Sequence, residues 1–278
     1  MTTEQFWTSA WRWDPWVLGL SVAIVAGYAA IVRCRFAWRT LYLVAGVAVF
    51  LLTLLSPLNA LADGYLFSAH MLQHLLLQLV APPLMLLAIP VAPLPKVFSR
   101  PGLRLIPQAL ERPLVTWLLG LGAMWIWHLP ALCSASIMTP WVHWVQIGSL
   151  LLMGGAFWWP IIGPWSQRRL TPLLGVLYLF SACVFCTILG IILTFAPPGL
   201  YPMFLHPHDS LGMLPTIRDQ WGLTFAKDQQ LGGLLMWVPP CFVYLCGIFG
   251  LLARWYVGPD PELVLPASGF EALDCEDL

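Results

Sequence analysis

"HMLQHLLLQLVAPPLMLLAIP", His70 to Pro90, decides the fold. Its 21 residues carry no Asp, Glu, Lys or Arg, and its polar side chains all lie in the first half. About 20 apolar residues cross a hydrocarbon layer, where a helix alone satisfies the backbone locally. The stretch therefore reads as a membrane helix. His70 and His74 stand at i and i+4, on one face of that helix. Pro82 takes away the helical partner of the Gln78 carbonyl, which predicts a kink.

The composition extends this reading to the whole chain. Of 278 residues 59% are hydrophobic and 9% charged, with a mean hydropathy of +0.79. A soluble domain carries about 25% charged residues. Thirteen basic and thirteen acidic residues cannot coat a water-soluble body of this size. A net charge of zero gives no sign of a nucleic-acid partner. The N-terminus lacks a basic region and a small-residue cleavage site, so the first apolar segment is expected to be retained. The seven cysteines, mostly inside apolar segments, form no secreted-type framework.

Seven segments qualify as spans: 16–32, 40–58, 66–91, 114–130, 141–163, 172–196 and 230–253. The expected fold is all-α, a polytopic bundle of seven transmembrane helices over 1–257, followed by an acidic, disordered cytoplasmic tail at 258–278. The short fourth span must stand upright or borrow flanking residues. Ten of the thirteen basic residues (Arg33, Arg35, Arg39, Lys96, Arg100, Arg104, Arg112, Arg168, Arg169 and Arg254) fall on one side. Only Arg12, Arg218 and Lys227 fall on the other. The positive-inside rule then sets the N-terminus outside and the C-terminus in the cytoplasm. Trp125, Trp127, Trp141 and Trp144 are expected to anchor the outer boundary, and Trp158, Trp159 and Trp165 the inner one.

On this topology all six histidines lie towards the outer side. His70 and His74 open span three, His128 closes span four and His143 opens span five; His206 and His208 lie in the outer 197–229 loop. Four imidazoles meeting in the outer third of a bundle suit Cu, Zn or haem iron. Polar groups inside spans face the interior and mark function. The bland alternative, a histidine hydrogen-bonded to a carbonyl or to water, applies best to His206 and His208. Met236, about two turns into span seven, would give Cu(I) a soft ligand, although most such methionines only pack. Asp228 is placed to cap that helix, and Gly232 and Gly233 to let it approach a neighbour. Cys183 and Cys186, at i and i+3 in span six, form a weak second candidate pair. No catalytic triad, paired carboxylates or phosphate loop is present, which argues against an enzyme. The span centres lack the acidic and basic chain of a proton-driven carrier.

"HMLQHLLLQLVAPPLMLLAIP", "WIWHLPAL", "GGAFWWPI" and "DQQLGGLLMWVP" together resemble the CtaG family of cytochrome c oxidase assembly factors, the seven-span group tied to caa-type oxidases. The resemblance runs in order from span three to span seven. It implies a protein of the bacterial plasma membrane that matures a haem-copper oxidase, handling copper for its buried copper centre, with oxidase subunits and membrane lipid as partners. The positions it carries over are His70, Gln73, His74, Pro82, Pro83, His128, Pro130, Trp159, Pro160, Asp228, Gln229, Gly232, Gly233, Met236 and Trp237, with His143 at the head of span five. Cys133 departs from the aromatic residue the family often shows after its second block. Gln73 and Asp228 are then expected beside the metal ligands His70, His74, His128, His143 and Met236.

Three other readings compete with copper handling. A haem-binding electron carrier would clamp iron between two histidines of different helices. A copper permease would need Cys183, Cys186, Cys241 and Cys246 in the inner half. A scaffold would use its histidines only for hydrogen bonds. Oligomeric state and the identity of the client oxidase are not encoded in any motif.

Overall fold

Among the described residues six α-helices begin on a proline, at Pro15, Pro57, Pro113, Pro130, Pro140 and Pro172. The first helical residue is where a missing N–H costs nothing and a fixed φ helps. The computed structural model describes residues 2–32, 38–91, 98–99, 102–103, 105–164 and 169–258. The helices are α1 Thr3–Ser9, α2 Pro15–Val32, α3 Trp38–Leu55, α4 Pro57–Ala62, α5 Phe67–Ala88, α6 Leu105–Leu110, α7 Pro113–Trp127, α8 Pro130–Met138, α9 Pro140–Ile162, α10 Pro172–Phe195 and α11 Phe225–Val257. No strand occurs among the described residues.

Six of these helices are long and apolar enough to cross a membrane, and the pair α7 and α8 makes a seventh span if counted as one. That pair bends by 74° across His128 and Leu129, so the expected short connection after span four is instead a nine-residue helix. The last span is longer than expected, 33 residues, with Pro239 and Pro240 inside it. Residues 259–278, Cys34, Trp165, Arg33, Arg35, Lys96, Arg100, Arg104 and Arg168 lie outside the described residues, and so does the predicted acidic tail. Arg169 donates to the Gly163 carbonyl at 2.7 Å, Arg254 to that of Leu170 at 3.0 Å. The charges of Arg254 and Arg39 both reach Arg169, so these cations share one face of the bundle.

The register lost ahead of Pro82 is taken up by a π turn. Leu76–Val80 forms a π turn, and α5 continues through it as one 22-residue span. The Ala81 N–H reaches back to the Leu76 carbonyl, which absorbs the register lost ahead of the proline. Gln78 uses its side-chain amide on the Gly120 carbonyl at 2.6 Å. Its own carbonyl lies against Gly154 of α9, where any Cβ would overlap it.

Several tryptophans also sit elsewhere than expected. Trp141 and Trp144 are exposed, as anchors should be, whereas Trp127, Trp158 and Trp159 are buried. Trp158 packs between Phe157 and Tyr244, and the Trp127 indole donates to Ser149 at 2.8 Å. These rings hold helices together. Glycines do the same work between α10 and α11: a Cβ at Gly190 would stand 2.5 Å from that of Trp237, and one at Gly233 would overlap Thr194.

The face bearing the N-terminus is roofed by the 197–224 segment. Phe6 of α1 packs with Met213 and Ile217 of that segment and with Ala60, Leu61 and Leu66 below it. Asp209 staples the segment, accepting from the Met213 amide at 2.7 Å and meeting the Tyr65 hydroxyl at 3.1 Å.

Candidate functional site

Asp228 organises the site, though not as a cap for its own helix. Thr224 caps α11, accepting from the Lys227 amide at 3.4 Å. The Asp228 carboxylate reaches across to the start of α5 instead. It accepts from the Phe67 amide at 2.8 Å, the Ser68 amide at 3.1 Å and the Ser68 hydroxyl at 2.5 Å. Leu66, at the cap position of α5, offers no side-chain acceptor, so those amides need one from another chain segment. A carboxylate at a helix N-terminus also complements the peptide dipoles. Asp228 is fully buried, and α5 begins where it does because α11 supplies that charge.

One turn further in, His70 and His74 lie with ring centroids 4.4 Å apart. His128, the residue that ends α7, meets His74 edge-on at 5.3 Å. All three are buried, at 0%, 2% and 5% exposure, so bulk solvent does not reach them directly. His70 Nδ1 faces the Ala62 carbonyl at 3.3 Å, and His128 Nδ1 faces that of Met124 at 2.6 Å. His128 Nε2 lies 3.1 Å from the Met71 sulfur. His70 Nε2 and both nitrogens of His74 have no hydrogen-bond partner. An unpaired buried nitrogen costs about 1–3 kcal/mol, and folded proteins rarely keep three side by side. Free lone pairs on adjoining imidazoles fit a metal-ligand set. In the arrangement found, no group of three or more His, Cys, Asp or Glu side chains converges as a metal site among the described residues.

The surroundings fix the rings. Tyr201 donates its hydroxyl to the His128 carbonyl at 2.7 Å and stacks on Phe67 at 4.5 Å. Burial pushes the Tyr201 phenol up, which keeps it a donor. Phe204 lies 6.0 Å from His70 and closes the roof. Gln73 ties α5 to its neighbours, donating to Asn59 Oδ1 at 2.8 Å and to the Thr53 carbonyl at 3.5 Å.

The other predicted residues are placed differently. His143 is not in ring contact with the three. It lines a cavity with Asp63 and Arg12 nearby, and its Nδ1 is buried without a partner. Met236 is fully buried in the core cluster that also holds Met71 and Met124. His206 and His208 are exposed in the roof segment. Cys183 and Cys186 serve different neighbours. Cys183 meets Cys241 of α11 at 2.9 Å, and Cys186 meets the Met124 sulfur at 3.5 Å.

Two residues escaped the sequence reading. Met71 sits about 100° around α5 from His70, off the His70–His74 face, and only the approach of α7 gives its sulfur a histidine. Gln146 is buried and stands close enough to His74 for its amide to act on the ring, although no hydrogen bond of normal geometry forms between them. Its signal was present, because it stands at i+3 from His143 in an apolar span.

Three comparisons bear on identity. An uncharacterised protein of Mycobacterium leprae (strain TN) is 25% identical over 271 residues, covering 89% of this chain and 40% of the relative. Uncharacterised proteins of Mycobacterium bovis and Mycobacterium tuberculosis are each 24% identical over 270 residues, covering 89% of this chain and 39% of theirs. The chain thus spans about two fifths of the length of these curated relatives. No solved structure matches. The sequence model of the cytochrome c oxidase caa3 assembly factors matches residues 25–257, from within α2 to the end of α11 and across every histidine described above. The chain belongs to the cytochrome c oxidase caa3 assembly factor family.

Proposed function

We propose that this chain matures a haem-copper oxidase in the bacterial plasma membrane by holding a copper ion as cargo at His70, His74 and His128, with the Met71 thioether as a fourth donor. The observation that carries the reading is His74. Both its nitrogens are buried and unpartnered between two further imidazoles. Imidazole and thioether donors together suit Cu(I). Histidine χ2 is a soft torsion, so the rings are able to turn about it toward a shared ion. The family supports delivery to an oxidase. On the positive-inside argument the site faces the non-cytoplasmic side, where an oxidase subunit could receive the ion. Such a role is binding and transfer, with no bond chemistry of its own.

The haem alternative is weaker on geometry. Axial ligands must approach opposite faces of a macrocycle, and rings 4.4 and 5.3 Å apart leave no room for one. The copper reading is tested by Cu(I) titration of the purified chain against a competing chelator. One ion per chain is expected, with at least a hundredfold weaker binding in the His70→Ala/His74→Ala variant. Equal affinity in that variant overturns the reading. In cells, deletion of the gene should leave oxidase subunits present but copper-poor.

A further inference from the structure

The three histidines are sealed from bulk water, so an ion needs a way to them. A cavity of about 600 Å³ lies between the turn leading into α2 and helices α3, α4, α8 and α9; none of the three histidines lines it, and His143 and Asn59 stand between them and that space. Its rim carries the exposed side chains of Trp13 and Met138. His143 and Asn59 also line it, and each leads inward. Asn59 accepts from Gln73, the residue before His74. His143 stands one turn before Gln146, which neighbours His74. Asp63 and Arg12 form an ion pair across the cavity at 2.7 Å, and both remain partly exposed. Asp14 also lines it, with one oxygen engaged by the Trp16 amide at 2.8 Å. Two carboxylates against one guanidinium make the cavity a place where a cation gains.

We propose that this cavity is the port through which the copper ion passes between solvent and the buried histidines. It is distinct from the holding site and rests on the copper reading above. His143 receives the ion, since it lines that space, and its Nδ1, buried away from solvent and unpartnered, is free to take part in passing the ion on. The Arg12–Asp63 pair is a latch: an arriving cation competes with Arg12 for the Asp63 carboxylate and opens the way inward. His143 is then a transfer ligand, and the ion comes to rest on His70, His74 and His128.

The test separates rate from affinity in the full chain, purified in detergent. Cu(I) uptake from a chelator is followed in time for the Met138→Cys variant before and after coupling to a bulky, water-soluble thiol reagent. Wild type treated with the same reagent is the control for native cysteines. Labelling at the rim should slow uptake at least tenfold while the final affinity stays within twofold. His143→Ala should do likewise, and Asp63→Asn should change the rate more than the affinity. Uptake at an unchanged rate after labelling, in a chain that binds copper, overturns the port alone. A hundredfold affinity loss in His143→Ala with an unchanged rate makes His143 a holding ligand and also overturns it. A wild-type chain that takes up no Cu(I) overturns the holding site and the port together.

Discussion

Helices α2 and α5 are close in composition and opposite in use. Their most apolar windows have mean hydropathies of 2.0 and 1.6, yet 11% of the first is buried in the protein and 61% of the second. Gly19 and Gly27 of α2 have nothing within 4 Å of a would-be Cβ, so that helix turns much of its surface to lipid. Helix α5 is wrapped by α3, α9 and α11 and holds His70, Gln73, His74 and Gln78 in its buried part. Lipid is as apolar as leucine, so burial in a membrane protein is not driven by hydrophobicity. Packing and polar satisfaction decide it. The difference between the helices therefore lies in the polar residues of α5.

The sharpest way to break the contrast is to remove the group that starts α5. Asp228→Ala leaves the Phe67 and Ser68 amides and the Ser68 hydroxyl without an acceptor, all of them buried. A hydrogen bond to a charged group is worth about 1.5–3 kcal/mol, so the variant should lose about 3 kcal/mol or more. Thermal unfolding in detergent, read by the sixteen tryptophans, checks this. Asp228→Asn keeps one acceptor and should fall between. A variant as stable as wild type would mean that α5 does not depend on α11 for its start.

Next in size is Gly154→Ala, where the new methyl meets the Gln78 carbonyl at the π turn. Backbone on both sides cannot yield as a side chain would. Overpacking of this kind costs about 1–3 kcal/mol. The same unfolding assay should show a lowered midpoint, and copper affinity should fall if the turn holds His74 in place.

The third test turns on sign. His74→Leu removes two buried, unpartnered nitrogens. The metal-free protein should gain about 1–2 kcal/mol, because the desolvation cost of those atoms disappears. Copper retention should drop at least tenfold in the same preparation. A residue kept only for stability would show the reverse, losing stability with no change in metal. Opposite movements of midpoint and affinity would mark His74 as a functional residue that destabilises its helix.

What could be read beforehand follows from the same physics. Span number and approximate limits are legible because hydrocarbon demands a continuous apolar run. The His70–His74 face is legible because it is local, set by helix geometry within five residues. The Asp228 contacts were not, since they bridge 161 residues and only the packing of α11 on α5 makes them. A local rule assigned Asp228 to its own helix, and Thr224 already held that place. Trp158 and Trp159 mislead for a similar reason: a tryptophan near a span end serves equally well in core or interface. The sulfur beside His128 was invisible in advance because it depends on how α7 meets α5.

The smallest expected effect tests the other half of the comparison. Gly19→Ala in α2 adds a methyl into open space. Alanine in a helix interior is better than glycine by about 0.5–1 kcal/mol, through the entropy of the unfolded chain. The variant should therefore unfold at the same temperature as wild type or slightly above, with copper uptake unchanged. Set beside Gly154→Ala, the same chemical change would then carry opposite signs in two membrane helices. A clear loss of stability in Gly19→Ala would instead mean that α2 has a close neighbour at Gly19 in the membrane. In the purified chain only a second copy could supply that neighbour, and repeating the measurement at detergent-to-protein ratios that favour monomer and assembly would test it.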